Sequence, residues 1–149
     1  MSKVVVYIYQ VIYFLHHLKI PVIPDVLNFV ILRILFSCSI KTGAKIGKGS
    51  SVGLAGLGVA IHKRAVIGNN TIIGQGVTIG GRSKHKDVPI IGDNCFISPG
   101  AKILGPIKIG DNSLVGPNAV VINDVPANCI AVGIPAKIIK TDIDIRDYI

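Results

Sequence analysis

The hydrophobic pattern changes character once along the chain. Up to residue 38 the apolar residues come in blocks: Val4 to Leu18, then Val26 to Phe36, with Pro21 and Pro24 between them. From Ile40 onward they become periodic. An aliphatic residue recurs at Ile40, Ile46, Val52, Ile61, Ile67, Ile73, Ile79, Ile91, Ile97, Ile103, Ile109, Val115 and Val121. Glycine usually follows it, and a small residue or Val often holds the fifth place of the unit. A period of six fits neither a 3.6-residue nor a 7-residue repeat, so no α-helix explains it. Short strands joined by tight turns do. Each hexapeptide makes one flat face, and three faces close a triangular coil with the aliphatic residue inward. The Gly or Asn of "GNN", "GDN" and "GPN" is expected to take the left-handed turn conformation. The prediction is a parallel β-helix over residues 39–140, preceded by a helical segment over 1–38 and followed by a tail, 141–149.

The register breaks twice. Between Val52 and Ile61 three residues are extra, in "GLAGLG". Between Ile79 and Ile91 the inward aliphatic is missing, and a loop is predicted at 81–89. Loops that interrupt a rigid solenoid are where function is usually carried. The two histidines outside the N-terminal segment, His62 and His85, stand beside these breaks, so both are candidate general bases. Asp87, in the same loop, is a candidate to orient a histidine or bind an acceptor.

The apolar blocks before residue 38 predict two helices, about 4–19 and 25–36. Neither block reaches the roughly 20 residues that span a bilayer. No small-residue cleavage site follows a short apolar core, so a signal peptide is not expected. The helices are expected to pack on the rest of the protein or on a partner subunit, with an interfacial position on a membrane as the alternative. A cytoplasmic location, in reach of the inner membrane surface, is the expectation.

Composition sharpens this picture. Sixteen Lys and Arg against eight acidic residues give a net charge of +8. All eight acids are Asp, and three of them fall in the tail, so the rest of the chain is more basic still. Such a field favours anionic partners, phosphate-bearing cofactors among them. Nucleic acid is not an expected partner, because no stacking aromatics accompany the cations in the repeats. Cys38, Cys95 and Cys129 are far apart, with no CxxC, which argues against a disulfide framework and against a zinc site. Buried free thiols are expected, and no metal.

The hexapeptides resemble those of the left-handed β-helical, hexapeptide-repeat acyltransferases, over about residues 40–139. The stretches "VTIGG" and "SPGAKILGPIKIGDNSLVGPNAVVINDVPANCIAVGIPAKII" look like the serine acetyltransferase branch, whose coil ends in a "GxPAK" segment, here "GIPAK" at Gly133 to Lys137. The left-handedness comes from this resemblance. The branch implies acetyl-CoA as donor, a homotrimer, clefts between subunits as active sites, and a histidine that takes the proton of the acceptor hydroxyl. It also implies a donor groove using Gly80, Gly81, Ala101, Lys102, Gly116, Pro135, Lys137 and Lys140, with the lysines facing the phosphates. Departures are plain. Ser39 stands where the branch has an Asp, its catalytic histidine falls near Leu54 or Ala55, and its second active-site histidine falls near Val88. The stretch "GLGVAIH", Gly56 to His62, resembles instead the short polysaccharide-modifying relatives, which points to His62 as base.

Three readings are therefore open from the sequence. One is an O-acetyltransferase acting on a sugar hydroxyl of a surface polysaccharide or its precursor, and it is the preferred one. Another is a serine O-acetyltransferase of cysteine biosynthesis. The third is a hexapeptide scaffold that has lost catalysis.

Overall fold

The computed structural model describes residues 3–149. Its body is a parallel β-solenoid with three faces. The first face stacks Ser39–Ile40, Ala60–Ile61, Thr78–Gly80, Lys102–Leu104 and Val120–Val121. The second stacks Lys45–Ile46, Val66–Ile67, Ile90–Ile91 and Lys108–Ile109. The third stacks Ser51–Val52, Ile72–Ile73, Phe96–Ile97, Leu114–Val115 and Ile130–Gly133, then turns back antiparallel through Ala136–Lys140.

The sixfold aliphatic residues do what their period requires. In the register, Ile40 pairs with Ile61, Ile61 with Ile79 and Ile79 with Ile103, so one isoleucine sits directly above the next. Twelve of the thirteen are buried and Ile46 is half-buried. The fifth-place residues (Ala44, Ala65, Val77, Ala101, Ala119) fill the corners of the triangle and are buried too.

The turn chemistry divides the labour differently from the expectation. The left-handed residues of "GNN", "GDN" and "GPN" are the asparagines: Asn70, Asn94, Asn112 and Asn118 all have φ between 52° and 55°. The glycines after the isoleucines serve stacking. A Cβ on Gly47 would lie 2.5 Å from the Gly68 carbonyl carbon, and one on Gly68 equally close to that of Gly92. Each coil thus rests on the backbone of the next. The asparagines also form a ladder, Asn70 to Asn94 to Asn112 to Asn128, amide to amide.

The helical segment closes the open end of the solenoid. α1 spans Val4–His17, and α2 spans Ile23–Leu27 and continues as wider π-helical turns over Asn28–Leu35. The lowest coil has carbonyls with no coil beneath them, and an uncovered sheet edge invites aberrant pairing. Side chains of the cap satisfy them. Tyr9 Oη donates to the carbonyls of Ala44 (2.8 Å) and Lys41 (3.1 Å), Gln10 to Ile46, and Asn28 to Ile40. Burial drives the Tyr9 phenol pKa upward, so it stays a donor. The tail folds back on the outside of the third face, where Ile143 and Ile145 bury against Ile130, Phe96, Leu114 and Val132.

All three thiols are buried and free. Burial pushes Cys38 and Cys95 up to about 11.

Candidate functional site

The two register breaks lie at different corners of the triangle, on either side of the first face. The three extra residues form a tight turn at Gly53–Gly56, between the third and first faces. Leu54 and Ala55 are held there at φ 42° and 53°. Loop 81–89 leaves the corner between the first and second faces, directly after Gly80.

His62 occupies that second corner one coil below the loop, stacked beneath Gly80: its N–H donates to the Ile79 carbonyl. It is half-buried, and its Nδ1 accepts the backbone N–H of Arg64 at 3.2 Å. This bond assigns the tautomer, since Nδ1 can accept only if it carries no hydrogen. The neutral ring then holds its proton on Nε2 and faces outward as a donor. Partial burial first, then the charges of Arg64 and Lys63, lower its pKa below the ordinary histidine value. His62 is therefore neutral at neutral pH. Its Nδ1 is engaged in its own turn, and Nε2 is the ring nitrogen left to face outward.

His85 is exposed on the loop. With Arg82 it lines a groove of about 350 Å³ against Pro106, Ile107, Ile122, Asn123 and Asp124 of the coils above. Its ring has no turn bond of this kind. Asp87 lies exposed two residues on. The loop is tied down from below: the Arg64 guanidinium donates to the Lys86 carbonyl, and Val66 N–H to that of Pro89. Arg64 is the residue that sequence reasoning passed over. Its only signal was a long cation in a hexapeptide turn where the coil beneath has Gly43.

The donor-side candidates separate into groups. Gly80 and Gly81 sit at the loop corner and are unlike the stacking glycines. Neither has a positive φ, and a Cβ on either would meet nothing closer than 3.9 Å. Nothing in this chain requires glycine there, and both leave the backbone of this corner open. Lys102, Ala101 and Gly116 lie toward the opposite corner of the first face, where the Lys102 ammonium donates to the Gly76 carbonyl at 2.6 Å. Ala101 is fully buried, which leaves only its backbone to offer. Packing accounts for Gly116, whose Cβ would meet Val132 Cγ1 at 2.6 Å. Pro135, Lys137 and Lys140 belong to the exposed C-terminal hairpin, where Lys140 Nζ donates to the Tyr148 hydroxyl. Among the described residues no group of three or more His, Cys or Asp is placed to hold a metal ion. Within one chain, His62 and His85 thus lie at one corner of the first face and Lys102 toward the other, while Lys140 lies on the third face opposite Ile130.

Comparison with known proteins fits this layout. Residues 89–123 match the family described as bacterial transferase hexapeptide (six repeats), and residues 43–75 match the hexapeptide repeat of succinyl-transferase. A serine acetyltransferase of Synechococcus elongatus is 39% identical over 133 residues, covering 88% of this chain and 54% of its own. The soybean serine acetyltransferase complexed with serine superposes with a TM-score of 0.84 at 38% identity, over 91% of this chain and 56% of that one. A serine acetyltransferase in complex with CoA gives 0.84 at 32% identity, over 91% and 55%. The chain spans little more than half the length of these relatives. Its repeats, coil and terminal hairpin place the chain in the hexapeptide-repeat acyltransferase superfamily, in the serine acetyltransferase-like branch.

Proposed function

We propose that the protein is an acetyl-CoA-dependent O-acetyltransferase whose acceptor is the hydroxyl of serine or a serine-like amino alcohol. The observation that carries this reading is the likeness to serine acetyltransferases along nine tenths of the chain, with solved relatives holding CoA and serine. It displaces the sugar acceptor that the sequence favoured.

In the reaction, the acceptor oxygen attacks the thioester carbonyl. The new C–O bond forms, the C–S bond breaks, and the hydroxyl proton passes through a base to the departing thiolate. A hydroxyl needs a base with a pKa near neutrality. We assign that role to His85, whose ring is free of a turn bond, with Asp87 beside it to orient the ring or the acceptor amine. His62, its proton on Nε2, suits hydrogen-bond donation to the developing oxyanion or to the acceptor. The open backbone of Gly80 and Gly81 suits close passage of the pantetheine arm. Lys102, Lys137 and Lys140 suit the phosphates, through charge-assisted hydrogen bonds. Because His62 and His85 lie at one corner of the first face and Lys102 toward the other, one chain does not complete the site. A homotrimer, in which one subunit's loop corner meets its neighbour's lysine corner, does.

A second reading, transfer to a sugar hydroxyl, draws support from one feature. Leu54, Ala55 and Ser39 replace the histidine and aspartate that the resemblance places there.

The test is thiol release from acetyl-CoA with L-serine, with a panel of sugars and glycan fragments, and with no acceptor. Serine-dependent release that falls about 10²- to 10⁴-fold in His85→Gln, and less in His62→Gln, supports the proposal. Sugar-dependent release alone moves the acceptor to the second reading. Loss confined to His62→Gln moves the base to that residue. No release with any acceptor, and no acetyl-CoA binding by calorimetry, leaves a non-catalytic scaffold.

A further inference from the structure

We propose that the N-terminal cap docks on an anionic lipid bilayer surface. α1 carries two apolar stripes. Val5, Val6, Tyr9 and Ile12 are buried on the first coil. Val4, Tyr7, Val11, Phe14 and Leu18, at the three-and-four spacing of another side of the helix, are 46–69% exposed. Because α1 lies across the open end of the solenoid, this second stripe faces away from the coil. The following segment adds Ile23, Val26, Phe29, Ile34 and Leu35, all exposed. Twelve of the nineteen exposed large hydrophobics of the described chain fall between Val4 and Leu35, so the apolar surface is concentrated at one end.

Charge selects the occupant. The ionised groups of the cap are Lys3, Lys19 and Arg33, all exposed, with His16 and His17 at the end of α1. The lone acid, Asp25, accepts a hydrogen bond from the Thr42 hydroxyl. Two copies meeting by this face would set cation against cation, whereas an anionic surface is complementary. Length selects the mode. Fourteen residues of helix span roughly 21 Å, short of the roughly 30 Å hydrocarbon core, so α1 suits a position in the interfacial plane. Among the described residues no helix is long and apolar enough to cross a membrane. Tyr7 and Phe14 supply rings suited to the headgroup boundary. This proposal does not depend on the catalytic reading.

The experiment is co-sedimentation of the full chain with vesicles of phosphatidylcholine alone and of phosphatidylcholine with phosphatidylglycerol, at low and high salt. The expected result is binding at least about tenfold stronger to the anionic vesicles, weakened by salt. Tyr7→Asp with Phe14→Asp, both at exposed positions, should lower it about tenfold or more while the melting temperature is kept. Lys19→Gln and Arg33→Gln should each cost about fivefold on anionic vesicles. Equal binding to both vesicles, binding untouched by these substitutions, or none at all overturns the proposal. So does a fall in the lipid-free oligomer mass of the double Asp variant, which would make this face a protein interface.

Discussion

At the scale of the residue, glycines of identical appearance in the sequence answer to different demands. Gly92 lies under the next coil, where a Cβ would come within 2.8 Å of the Asp111 nitrogen. Gly92→Ala is therefore expected to destabilise the coil, seen as a lower melting temperature. Gly80→Ala and Gly81→Ala have room and ordinary φ. They should melt within the small range of neutral surface changes, about 0.5 kcal/mol, while raising the KM for acetyl-CoA. The histidines separate in the same way. His62 has a folded pKa below its unfolded value. Its protonation thus favours the unfolded chain, so the stability present above the unfolded pKa of about 6.5 is lost as pH falls from that value through the lower folded pKa. His62→Gln should flatten the acid side of the stability profile below about pH 6.5, measured by melting across pH. The thiols offer a third check. Cys38 and Cys95 are buried with raised pKa. Both should resist a disulfide reagent at neutral pH in the native protein and react once it is denatured.

At the scale of the element, each strand is two or three residues long for most of the body and makes no stable unit alone. Stability comes from stacking one coil on the next, as in other solenoids. Ile73 is fully buried between Val52 below and Ile97 above. Ile73→Ala should cost about 2–5 kcal/mol, measured by denaturant unfolding, because the coils cannot close on the void. The cap is held by polar bonds as well as by burial. Tyr9→Phe keeps the packing but leaves the Ala44 and Lys41 carbonyls without their donor, and should cost about 1–3 kcal/mol. Much of the element level was legible in the sequence. The solenoid and its loop follow from the sixfold period and its failures, and α1 ends near the expected place. The π-helical continuation after Leu27 was not legible, since a wider turn leaves no mark on an apolar block. Nor was the left-handed role of the asparagines distinguishable from that of the glycines beside them. Both residue types suit positive φ, and only the distance to the next coil tells which one is there for clearance.

At the scale of the whole molecule, the first face has His62 and His85 on one edge and Lys102 toward the other. The trimer proposed above would join the two, and light scattering should then return three times the chain mass of 15.7 kDa. A monomer that still turns over acetyl-CoA would break the link between assembly and site. The tail, carrying three of the eight Asp, is packed on the outside of the third face, away from the histidine corner between the first and second faces. The basic character of the rest is thereby left open to anionic partners.

The sequence by itself determined the three-faced coil, because a period of six turns every aliphatic residue inward when each unit makes one face. It determined the loop at 81–89 for the same reason: a break in the period has to leave the coil. The tertiary structure alone decided how the candidate residues are placed. Which nitrogen of His62 carries the proton depends on a turn bond to Arg64. Whether Gly80 is spacer or passage depends on what lies above it. That His62 and His85 sit at one corner of the first face and Lys102 toward the other depends on how many residues each turn consumes. These are facts of three-dimensional neighbourhood, and residues far apart in the chain supply them.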